Sequence, residues 1–141
     1  MGAADRIRAY YDALRSGEPL APFFAPVDGA VKFGISERLD GYEAIAAGLR
    51  EQTERTTDWR VDSRALLVTE RECHAWFSDV VSLGWADTER QIRYEFETRW
   101  SGTLERRNDD GRATAPADGD TESADGEWRF VGMHVSTARE L

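Results

Sequence analysis

The chain has 141 residues, 40% of them hydrophobic and five of them tryptophan, which suffices for one core and is too short for two comfortable domains, so a single domain over 1–141 is expected. A net charge of −9 repels duplex nucleic acid and anionic membrane surfaces, and the one basic doublet, Arg106-Arg107, is followed at once by Asp109-Asp110. Cys73 is the single cysteine, which excludes an intramolecular disulfide and a multi-cysteine zinc site.

Lys32 is the only lysine, so 17 of the 18 basic residues are arginines, set against 27 carboxylates. That balance resembles proteins of a salt-filled cytoplasm, where about 1 M salt shortens the Debye length to roughly 3 Å and carboxylates keep the surface hydrated. An acidic cytosolic protein from an arginine-favouring, GC-rich genome has the same profile. "MGAADRIRAYYDAL" carries charges at positions 5, 6 and 8 and no apolar signal core, and no stretch approaches membrane-spanning length. A soluble, cytoplasmic protein with no membrane and no nucleic-acid partner is expected.

Ile7, Tyr10, Tyr11 and Leu14 recur at the spacing of one helix face, and Ser16-Gly17 stops the run. "EPLAPFFAP" allows a short second helix limited by Pro22 and Pro26, and "AVKFGIS" reads as a brief strand. In "LDGYEAIAAGLREQTER", Asp40 with Glu43 forms an acidic capping box ahead of a third helix that buries Tyr42, Ile45, Ala46 and Leu49. The period then changes to two. Trp59, Val61, Ser63, Ala65 and Leu67 alternate with charged residues, and "CHAWFSDVVSLGWA" and "RQIRYEFETRWSGTLER" continue as long strands. In the latter, Ile92, Tyr94, Phe96, Thr98 and Trp100 share the face built for burial. Residues 108–125 hold no aromatic and no large aliphatic residue, so they read as a mobile, solvated acidic loop. "GEWRFVGMHVSTA" is the last strand. Three helices followed by strands define an α+β fold, with helices covering one face of a curved antiparallel sheet.

The order of these segments, with "DGYEAI" opening a helix, "AWFSD" in one strand and "WRFVGMHVS" in the last, resembles the NTF2-like superfamily and its SnoaL-like branch over residues 3 to about 138. The association domain of calmodulin-dependent kinases is a more distant likeness, through the "ETRW" stretch and the Trp, Val, His, Ser pattern of the last strand. The departure is the acidic loop, which stands where such proteins have a tight turn. The resemblance implies a cone-shaped sheet with an internal pocket, commonly in a homodimer. It covers isomerases, dehydratases, polyketide cyclases and plain binding or assembly modules, so the fold does not decide the function.

Asp79 interrupts the apolar face of Cys73, Ala75, Phe77 and Val81, where a carboxylate gains a raised pKa suited to acid-base catalysis, unless a bulge turns it to solvent. Alternation puts His134 beside Trp128 and Phe130, either as a general base or as a hydrogen-bonding residue of a sheet or dimer interface. Arg99 matches by position an arginine that lines the pocket of the kinase association domains, so the resemblance implies a grip on a carboxylate; a cross-strand ion pair with Glu95 or Glu97 is the alternative. Trp59, Trp76 and Tyr94 can wall an aromatic ligand pocket or pack in a core or dimer surface. Two histidines and one cysteine without HxxxH or HxH spacing give no metal site, and no Gly-rich phosphate loop occurs, so no cofactor is expected. The partners expected are a second copy of the chain and a small apolar or carboxylate-bearing molecule.

Overall fold

Helix α1 (Ala3–Ser16) buries the face that its sequence spacing marks: Ile7, Tyr10, Tyr11 and Leu14. It stops at Gly17, whose φ of 71° suits a residue without Cβ and returns N–H groups to the last turn. At its start the Ala3 N–H donates to the Glu70 carboxylate at 2.7 Å, which ties the helix to the sheet. These are features of a computed structural model, which describes residues 2–107 and 126–137; the loop expected at 108–125 lies outside the described residues.

The second helix is shorter than expected, a single 3-10 turn (Ala21–Phe23), so the described residues hold two α-helices rather than three. Pro22 and Pro26 limit helical hydrogen bonding here. The Ala25 N–H instead donates to the Phe130 carbonyl at 2.9 Å, which draws the segment onto the last strand. A hairpin follows, β1 (Val31–Phe33) and β2 (Arg38–Asp40), before helix α2 (Tyr42–Arg55). The expected Asp40 capping box does not form. Asp40 is a strand residue paired with Val31, and the helix starts from Gly41 at φ 88° with no side-chain cap. A side chain at residue 41 would be strained there, so backbone conformation starts this helix.

The remaining strands are β3 (Thr56–Ser63), β4 (Leu67–Glu70), β5 (His74–Asp87), β6 (Ile92–Arg107) and β7 (Glu127–Thr137). They form one curved sheet in the order β2-β1-β7-β6-β5-β3, with β4 also paired to β5. The pairs among β3 to β7 are antiparallel, as expected, but β1 runs parallel to β7, so the sheet is mixed at that edge. The β5–β6 pairing runs unbroken from His74 to Asp87. The inner face packs Phe77, Val81, Leu83, Trp100, Leu104 and Phe130 against α1.

One irregularity changes a sequence expectation. Phe130 pairs with Leu104 and Gly132 with Thr103, which leaves Val131 as an extra residue in β7. This bulge shifts the alternation by one position, as a two-residue pleat requires. Trp128 and Phe130 point inward before it, and Met133 and Val135 after it. His134 is thereby turned to the outer, exposed face. The alternation that grouped it with Trp128 and Phe130 holds only up to Val131.

Candidate functional site

The inner face of β3, β5 and β6 carries a row of rings. Trp59 and Trp85 stack at 4.8 Å, Trp85 and Tyr94 at 5.5 Å, and Tyr94 and Phe96 at 6.3 Å. The row follows from alternation, since Trp85 and Tyr94 are cross-strand partners and Tyr94 and Phe96 are two positions apart on one strand. The strand shift between Thr57 and Arg60, with Asp58 at φ 55°, brings Trp59 into the row. Its indole N–H donates to Thr56 Oγ1 at 2.8 Å.

Above the row lies a cavity of about 430 Å³, also lined by Tyr10 and Leu14 of α1, Gln52 of α2, Trp100, Val135 and the turn from Gly34 to Glu37. Its polar residues include Lys32, Glu37 and Asp87. Lys32 is only 5% exposed, and its ammonium donates to Glu37 Oε2 at 2.8 Å. The Tyr10 hydroxyl is held above its ordinary pKa, first by burial and then by the Glu37 charge, so it stays protonated and can donate at neutral pH.

The sequence candidates divide between this cavity and other places. Trp59 and Tyr94 line it. Trp76 does not: it is 43% exposed on the outer face, where Arg71 lies 5.3 Å over its ring and His74 stacks at 6.1 Å. Arg99 is also on the outer face, with Val80 and Ser136 as strand partners and no hydrogen bond or ion pair among the described residues. Neither a pocket grip nor the alternative ion pair forms, because Glu95 pairs with Arg93, and Glu97 with Arg64 and the Ser82 hydroxyl. His134 stands on that same outer face beside the Phe33 ring at 5.4 Å.

Asp79 is buried, 3% exposed, on the face that alternation assigns to it, in an unbroken stretch of the β5–β6 ladder. Its surroundings are not apolar. Oδ1 accepts from the Ala65 and Val80 N–H groups at 2.9 and 2.8 Å, and Oδ2 from the Tyr11 hydroxyl at 2.9 Å and the Ser63 hydroxyl at 2.6 Å. It does not line the cavity. Four donors suit an acceptor that holds structure together.

Sequence reasoning missed Lys32, Glu37, Trp85 and Phe96. The signal for Lys32 was present as the sole lysine, set in the apolar run "AVKFGI". Glu37 had none, because its position depends on the turn that folds it back to Lys32. Among the described residues no group of three or more His, Cys, Asp or Glu side chains could hold a metal ion, and no helix is long and apolar enough to cross a membrane.

Comparison with solved structures agrees with this architecture. A provisionally named dehydratase of the NTF2-like family from Streptomyces avermitilis superposes with a TM-score of 0.74 at 12% identity, over 99% of this chain and 95% of the other. A nuclear transport factor 2 (NTF2-like) superfamily protein from Salmonella enterica serovar Typhimurium gives 0.73 at 13% identity, over 96% and 88%. A provisionally named calcium/calmodulin-dependent protein kinase type II association domain from Thiobacillus denitrificans gives 0.67 at 16% identity, over 98% and 96%. At such identities the likeness establishes the fold alone. A comparison with curated proteins finds no match. The SnoaL-like domain model matches residues 4–112, and the chain therefore belongs to the SnoaL-like domain family, with the NTF2-like fold.

Proposed function

We propose that the protein binds a small, partly apolar molecule in the cavity between α1, the β1–β2 turn and the inner face of β3, β5 and β6. The observation that carries this reading is the row Trp59, Trp85, Tyr94 and Phe96 bordering about 430 Å³ of space instead of filling it. Apolar surface in a concavity gains free energy when a ligand covers it, and a few polar groups at the ends orient that ligand. Titration with 2-naphthol, followed by tryptophan emission, tests the reading. Trp85→Ala abolishes the response and Trp76→Ala preserves it; equal binding by both variants would refute the cavity as the site.

A second reading is a cofactor-independent isomerase, dehydratase or cyclase. The observation favouring it is Glu37, a carboxylate lining the same cavity as the protonated Tyr10 hydroxyl. The bases expected from sequence, Asp79 and His134, lie outside the cavity, so in this reading Glu37 takes their role.

The assembly we propose is a homodimer through the outer face of β5, β6 and β7. Trp76 and Val80 are exposed there next to the small side chains of Ser78 and Ser101. A dimerisation module without a ligand would use the same face. The acidic, lysine-poor composition supports a salt-rich cytoplasm as the setting.

A further inference from the structure

The aromatic row accounts for the apolar part of a ligand but not for the buried cation beside it. Lys32 stands in β1 between Val31 and Phe33, is 5% exposed and lines the cavity. An ammonium has three N–H donors. Lys32 uses one, toward Glu37 Oε2 at 2.8 Å, and has no other partner among the described residues. A buried charge with a single partner costs stability that an apolar residue at this strand position would not.

Its partner is held differently. The Glu37 side chain is 41% exposed and sits at the β1–β2 turn, closed by the Gly34 N–H donating to the Glu37 carbonyl at 3.0 Å. Glu37 can rotate into water at little cost, whereas Lys32 cannot follow. The pair is thus a fixed cation with a displaceable anion.

The geometry points to a flat aromatic carboxylate as the ligand class, its carboxylate replacing Glu37 on Lys32 while its ring packs against the aromatic side chains that line the same cavity. This deepens the small-molecule reading above and rests on it. One carboxylate takes the place of another, so the desolvation of Lys32 is already met in the free protein, and burial of the ring is the net gain. Asp87, another carboxylate of the lining, is removed from this exchange. Its Oδ1 is already engaged by its own turn, accepting from the Glu89 and Arg90 N–H groups at 3.0 and 2.9 Å.

Calorimetric titration with 2-naphthoate and its neutral analogue 2-naphthamide tests the exchange. Lys32→Met weakens naphthoate binding about tenfold or more and leaves naphthamide binding in place. Glu37→Gln, at a half-exposed side chain, tightens naphthoate about three- to fivefold without changing naphthamide. If naphthamide binds but naphthoate is indifferent to both substitutions, the carboxylate assignment falls and the cavity reading survives. If neither compound binds the wild-type protein, both fall.

Discussion

The Tyr11 hydroxyl donates to the Asp79 carboxylate at 2.9 Å, joining α1 to the point on β5 where the sheet changes partner. Pairing with β3 ends at Val81, the Arg64 N–H still donates to the Val80 carbonyl at 2.8 Å, and pairing with β4 begins at Ser78, so Ala65 and Leu66 leave the ladder. Asp79 supplies the acceptor that the ladder no longer provides to the Ala65 N–H, and accepts as well from the Ser63 and Tyr11 hydroxyls. Asp79→Ala leaves these donors unsatisfied and lowers stability by about 2–4 kcal/mol in urea unfolding, with Tyr11→Phe costing about 1 kcal/mol. Ligand affinity of the folded Asp79→Ala protein stays unchanged; its loss without a loss of stability would make Asp79 a site residue.

Alkaline pH provides a second handle. Burial holds the Tyr10 hydroxyl above its ordinary pKa of 10.0, with Glu37 adding to the effect; burial does the same for Tyr11, reinforced by its bond to Asp79. The neutral forms are therefore favoured in the folded state. Their contribution is complete below the unfolded pKa, and is lost as pH rises above about 10, where the unfolded chain releases these protons first. Each tyrosine should steepen the fall by about 1.4 kcal/mol per pH unit above that point. Urea midpoints measured across this range should fall less steeply in Tyr10→Phe and Tyr11→Phe; identical slopes would contradict the assignment.

Gly102 is required by the bulge in β7. A Cβ there would lie 2.4 Å from the Gly132 carbonyl oxygen and 2.9 Å from the Phe77 ring. Gly102→Ala forces backbone apart and should cost about 1–3 kcal/mol. At Gly132 an added Cβ meets only the Thr103 hydroxyl, at 3.1 Å, so Gly132→Ala should be milder. Comparable destabilisation by both would show that the close approach is not the cause.

On the outer face, Val80 is 40% exposed and Trp76 43%. Val80→Arg inserts a charge into the proposed dimer surface, where like charges from two copies would meet. Sedimentation should register a dimer for the wild-type chain and a monomer for the variant. A wild-type monomer at all concentrations would exclude the proposed assembly.

Salt dependence follows from the charge of −9. Screening relieves repulsion among the carboxylates, so unfolding midpoints should rise between low and molar KCl. A flat or falling curve would defeat the salt-rich setting.

Periodicity alone was sufficient to locate α1, α2 and the long strands, because a core face recurs at 3.6 or 2 residues whatever it packs against. Asp79 on the inner face and the shared face of Tyr94, Phe96 and Trp100 were legible for the same reason. Where partners change, the pattern lost its meaning. The Val131 bulge reversed the side of His134, and Gly41 started a helix that Asp40 was expected to cap. The parallel β1–β7 pairing set Lys32 beneath the cavity, and the β1–β2 turn brought Glu37 back to it. Such outcomes depend on pairings between segments distant in the chain. Local spacing encodes which face is apolar, but only the closed sheet determines which faces meet and where the gap between them is left.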